Sequence, residues 1–142
     1  MISAGEAIAL SVVLPLAGMI AIWRLDRAPN LREAATLLTG AVLIALTLVV
    51  FAAVGDGAHP GFDPGLAVVG GLKIEFRAEP LGAMFALLAS VLWFVNSLYS
   101  IGYMRGHHEA HQTRFYMSFA VAISSAMGVA YAANLFTLFI FY

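Results

Sequence analysis

AATLLTGAVLIALTLVVFAAVG, residues Ala34–Gly55, runs for 22 positions without a charged side chain. A helix rises about 1.5 Å per residue, so about 20 apolar residues cross a bilayer core of about 30 Å. Working outward, uncharged runs of similar or greater length occupy 7–23, 80–104 and 115–142. The charged residues are confined to Glu6 and to three segments, Arg24–Glu33, Asp56–Glu79 and Arg105–Arg114. Only 11% of the chain is charged, whereas a soluble domain carries about 25%. Helices buried in a soluble core are shorter and carry a polar stripe. The pattern therefore predicts an all-α integral membrane fold, with spans at about 3–23, 34–54, 80–103 and 115–133, and a fifth helix starting at about 135–142.

That last division follows from length. Residues 115–142 as one straight helix would extend about 42 Å, too long for one crossing, and Asn134 interrupts the run after Ala133. The eight residues from Leu135 to Tyr142 would rise only about 12 Å. The expectation is that the sequence stops within the membrane, as a fragment or truncated frame of a larger subunit.

Arginine placement predicts topology. Arg24, Arg27, Arg32, Arg105 and Arg114 lie in segments 24–33 and 105–114, leaving Lys73 and Arg77 on the other side with Glu6, Asp56, Asp63, Glu75 and Glu79. Short basic loops stay in the cytoplasm. This puts the N-terminus and segment 56–79 outside and loops 24–33 and 105–114 inside. A cleaved signal peptide would place positive charge before its apolar stretch; here Glu6 precedes the run and Arg24 follows it.

Within the spans, Pro15 interrupts the first helix, as either an ordinary kink or a pore-shaping break. Thr36, Thr39 and Thr47 in the second can bond back to their own helix. Segment 55–79 opens with turn formers. Leu72, Ile74 and Phe76 then alternate with Lys73, Glu75 and Arg77, and Gly70-Gly71 separates them from Leu66–Val69. Alternation of period two with a Gly-Gly turn predicts a short external β-hairpin at about 66–77; an unstructured loop is the alternative. Pro80 suits a first helical turn. Tyr99 and Tyr103 resemble interfacial belt residues.

Several chemistries are excluded. With no cysteine there are no disulfides, thiolate metal sites or cysteine-ligated clusters. His107, His108 and His111 do not follow the HExxH order, so they are read as a solvated loop. No metal, cofactor or catalytic residue is expected, and no basic stripe points to nucleic acid.

Four segments in this order, Phe76–Phe85 (FRAEPLGAMF), Leu98–Met104 (LYSIGYM), Thr113–Tyr116 (TRFY) and Asn134–Tyr142 (NLFTLFIFY), resemble the N-terminal part of the antiporter-like subunits. These are shared by respiratory complex I, membrane-bound hydrogenases and Mrp-type Na+/H+ antiporters. Tyr99, Ser100, Gly102, Tyr103 and Asn134 fall on family motifs, and the D-type subunit of the Mrp group is the nearest likeness. The resemblance implies a subunit of about fourteen helices, built from two inverted repeats of five, in the inner membrane. Protonatable Glu and Lys would relay protons, with H+ and Na+ as transported ions and other membrane subunits as partners. The family's helix-5 glutamate would follow Tyr142. No ionisable residue falls in an expected span, so the stretch is read as scaffold. Asn96, Ser97, Ser100, Ser124 and Ser125 form a possible polar lining or, alternatively, helix–helix hydrogen bonds. A redox-driven proton pump and a non-transporting assembly protein are the other readings.

Overall fold

The computed structural model describes residues 2–69, 71–107 and 109–142, with no side-chain detail for 67–69. Gly70 and His108, both named above, lie outside the described residues. The elements are α1 (Ala4–Arg24), α2 (Pro29–Gly55), four short strands, α3 (Pro80–Gly106), α4 (Gln112–Ala130) and α5 (Leu135–Phe141).

Local sequence sets the helix starts. Ser3 and Glu6 form a reciprocal capping box on α1, which satisfies two first-turn N–H groups. Proline occupies the first turn of both α2 and α3, where a missing N–H costs nothing. The Asn134 carboxamide oxygen accepts from Thr137 N–H at 2.8 Å and so caps α5. α1 runs unbroken through Pro15.

The side chains are distributed as expected for a lipid solvent. Leu38 and Leu88 are 66% and 56% exposed, and Leu10, Leu48, Phe51, Leu92 and Leu98 also face outward. Ser11, Thr36, Thr47, Ser90, Ser97 and Ser124 are buried. In water this arrangement would expose a large apolar surface and hide hydroxyls, whereas in a bilayer large apolar chains face acyl tails and small residues permit close helix contact. Gly18 shows the second half of this rule: a Cβ there would lie 2.9 Å from the Thr39 side chain. Among the described residues, α1, α2 and α3 are long and apolar enough to cross a membrane. The chain is a multi-pass membrane protein.

Helix packing runs in a ring, with α1 against α2 and α4, α2 against α3, and α3 against α4. At one end, β2 (Ala67–Val69) pairs antiparallel with β3 (Leu72–Lys73), while β1 (Gly61–Phe62) pairs with β4 (Phe76–Arg77). The expected single hairpin over 66–77 is thus an inner pair nested in an outer one. Gly71, at φ +87°, adopts the left-handed conformation that the turn requires. Phe76 is buried, Ile74 half-buried and Leu72 exposed, so only one end of the alternating run reaches the core. The outer strand Gly61–Phe62 is two residues long, too short to alternate.

Three helices have bounds that differ from the sequence reading. α2 begins at Pro29 rather than about residue 34, which brings Arg32 and Glu33 into the helix. α3 continues to Gly106, with Arg105 in its last turn. α4 covers 112–130 rather than 115–133, because Phe76 bridges to Ala132 and Arg77 N–H donates to the Tyr131 carbonyl at 2.7 Å. Strand-like backbone pairing there ends the helix early.

Candidate functional site

Arg32 and Glu33 are each only 4% exposed. This corrects their assignment to the cytoplasmic loop 24–33. A buried charge must be paired, and the neighbouring elements supply partners. Arg32 Nη1 donates to Thr113 Oγ1 and Nη2 to Gln112 Oε1, both at 2.8 Å, and its guanidinium lies 5.3 Å from the Tyr116 ring centroid. Thr113 in turn donates to the Asp26 carboxylate. Arg105 forks onto Glu33, with Nε 3.1 Å from Oε1, and its Nη2 also donates to Asn30 Oδ1 at 2.6 Å. Such two-pronged pairs combine charge with fixed geometry.

This cluster joins the α1–α2 turn, the first turn of α2, the last turn of α3 and the first turn of α4. Arginine keeps its proton under all relevant conditions, so the two guanidinium groups act as fixed charges that hold Glu33 in place. Among the described residues, Arg32 Nε and the Tyr116 hydroxyl are buried without a hydrogen-bond partner.

The bundle interior above the cluster is lined with hydroxyls. Thr36, Thr39 and Thr47 donate to Arg32, Ala35 and Leu43 carbonyls of their own helix, as expected from sequence. Among these hydroxyls, Thr47 bonds Ser90 at 3.0 Å across α2–α3, and Ser124 bonds the Val12 carbonyl at 2.7 Å across α4–α1.

The five polar residues singled out from sequence are distributed over different surfaces. Ser97 and Ser100 share the buried face of α3, where Ser100 donates to the Asn96 carbonyl at 2.7 Å. Ser124 is turned toward α1. Ser125 is half-buried. Asn96 lies on the α3–α4 seam, lining two adjacent cavities of about 300 and 380 Å³.

Of the motif residues, Tyr99 and Tyr103 are exposed and stacked at 6.2 Å, and Tyr103 stacks on His107 at 4.3 Å. Gly102 has open space beside it. Asn134 donates to the Lys73 carbonyl at 3.1 Å as well as capping α5, so it ties the hairpin to the α4–α5 turn. In that turn Tyr131 is fully buried, and burial pushes its phenol above the usual range.

The sequence reading missed the Arg32–Glu33–Arg105 cluster. The available signal was Pro29, a first-turn residue that starts the helix ahead of those charges.

Residues 68–116 match the family model described as NADH-ubiquinone oxidoreductase (complex I), chain 5 N-terminus. The match covers about a third of the chain, from the inner hairpin through α3 to Tyr116 beside the ionic cluster. No curated protein matches the chain.

Proposed function

We propose, proceeding from the match of residues 68–116 to the family model of the complex I chain 5 N-terminus, that the chain is part of a multisubunit Na+/H+ antiporter of the Mrp type, most like its D-type subunit. It serves there as scaffold for proton translocation across the inner membrane. The family match is the observation that supports a proton-conducting membrane subunit, and the inside-out distribution of leucines and hydroxyls agrees with it. The choice of the Mrp branch rests on the motif likeness of Phe76–Phe85, Leu98–Met104 and Asn134–Tyr142.

In this reading α4 is a fourth span. Its charge is confined to Arg114 in the first turn, and residues 115–130 are uncharged. The arginine-rich end faces the cytoplasm, in line with the positive-inside rule, and the strands lie outside. Other membrane subunits of the assembly complete the proton path. Asn96, Ser97, Ser100, Ser124 and Ser125 contribute polar groups between helices, each worth about 0.6 kcal/mol, rather than a relay.

A second reading, a proton-pumping subunit of a complex I-like oxidoreductase or a hydrogenase, is favoured by the matching family itself, which is that of complex I chain 5.

Everted vesicles from source cells with and without the chain separate the two. Loss of Na+-induced ΔpH collapse, with respiration-driven acidification retained, supports the antiporter. Loss of quinone- or hydrogen-driven acidification, with the Na+ response retained, supports the second reading. Unchanged behaviour in both assays contradicts both.

A further inference from the structure

The seven Lys and Arg side chains fall into two groups. Arg32, Arg105, Lys73 and Arg77 each reach a carboxylate at 3.9 Å or less. Arg24, Arg27 and Arg114 are exposed and, among the described residues, make no ion pair.

These three lie at one corner of the bundle. Arg24 ends α1 and Arg27 lies in the turn that follows. Asp26, between them, accepts from Thr113, the residue before Arg114 in the first turn of α4. α1 and α4 pack side by side, and the bond from Ser124 to the Val12 carbonyl joins them further along. The positive-inside rule calls for cations at this end, but not for three of them to stand together without a carboxylate.

Charge at this end is also out of balance. Five arginines stand against Asp26, Glu33 and Glu109, a surplus of two, whereas the strand end sets Lys73 and Arg77 against Glu6, Asp56, Asp63, Glu75 and Glu79.

An apolar track leads away from the corner along α1. Trp23, Ile20, Leu16 and Val13 are exposed and recur three or four residues apart, so they form one stripe about 15 Å long at helical rise. Trp23, 62% exposed, stands where the charged end meets that stripe, as tryptophan does at the headgroup level of a bilayer.

We propose that this corner binds an anionic phospholipid, with its phosphate group held by Arg24, Arg27 and Arg114 and an acyl chain along the stripe from Trp23 to Val13. A soluble phosphate would use the arginines and leave the stripe uncovered. A zwitterionic lipid would cover the stripe and leave the surplus positive charge uncompensated. An anionic lipid satisfies both, and the site serves either transport reading.

The test uses the whole chain in phospholipid vesicles, with Trp93→Phe so that Trp23 is the remaining tryptophan. Brominated acyl chains quench its fluorescence, carried on phosphatidylglycerol in one series and on phosphatidylcholine in the other. Both leaflets have the same composition, so the direction of insertion does not matter. An arginine near an anionic surface strengthens attachment about fivefold. Phosphatidylglycerol should therefore be preferred about fivefold or more, and less at high salt. Arg24→Gln with Arg27→Gln, and Arg114→Gln alone, should each reduce the preference, and the triple variant should abolish it. Lys73→Gln with Arg77→Gln removes two charges from the other end and should leave it unchanged.

Equal quenching by the two lipids overturns the proposal, as does a preference that survives the triple substitution. So does a preference that Lys73→Gln with Arg77→Gln lowers as much as Arg24→Gln with Arg27→Gln, which would assign it to net charge. Loss of the preference on adding inorganic phosphate at constant ionic strength would assign the corner to a soluble anion and likewise overturn it.

Discussion

The two ends of the bundle are held together by different chemistry. At the arginine-rich end, α2, α3 and α4 are joined through side chains: Glu33 to Arg105, and Arg32 to Thr113 and Gln112. At the opposite end the connections are mainly backbone. Arg77 N–H reaches the Tyr131 carbonyl, Ala133 N–H the Glu75 carbonyl at 3.0 Å, and Ala78 N–H the Pro60 carbonyl at 2.9 Å. A side-chain joint concentrates its stability in a few atoms that one substitution removes. A backbone joint distributes it over groups that most substitutions leave in place.

Substitutions can break or sharpen this contrast. The largest effect is expected for Glu33→Ala, which leaves Arg32 and Arg105 without their shared carboxylate. Arg32 and Glu33 form a buried pair at 3.8 Å, whereas Arg105 is half-exposed. Removing one partner of a buried ion pair costs about 3–5 kcal/mol, so thermal unfolding in detergent should show a loss toward the lower end of that range. A loss below about 1 kcal/mol, the range of a surface pair, would mean the cluster is solvated.

Gly82→Val tests the other end by packing. Its Cβ would overlap the Ala130 carbonyl, and forced overpacking costs about 1–3 kcal/mol. An unchanged melting point would show that α3 and α4 do not touch there.

Asn134→Ala removes a cap and the bond to Lys73, with an expected loss of about 1 kcal/mol. Because neighbouring backbone bonds remain, the hairpin should stay attached, as amide hydrogen exchange at Arg77 and Ala133 would report.

The smallest effect belongs to Thr47→Val with Ser90→Ala. A double-mutant cycle should give a coupling of about 0.6 kcal/mol; zero coupling would remove the α2–α3 hydroxyl contact from the account.

The uncharged run at 34–55 was enough to reveal a membrane helix, since lipid permits long apolar faces that water does not. The same criterion obscured the ionic cluster. Reading each charge as a loop marker placed Arg32 and Glu33 in solvent, and the pairing of Glu33 with Arg105 depends on a contact between residues 72 positions apart. The nested outer strand was not legible because Gly61 and Phe62 carry no periodicity of their own. Their partner, Phe76–Arg77, lies beyond the inner hairpin. Ser124 similarly gave no sign that it would bond Val12, 112 positions away. The seam at Asn96 was visible as a polar residue in a span.

The central claim, that lipid is the solvent for the outward face, is tested most directly by spin labels at Leu88 and at Thr47. The chain has no cysteine of its own, so Leu88→Cys and Thr47→Cys each label a single site. In vesicles, power saturation should show position 88 relaxed by oxygen and not by a water-soluble nickel chelate, and position 47 protected from both. Relaxation of position 88 by the nickel chelate would contradict the account.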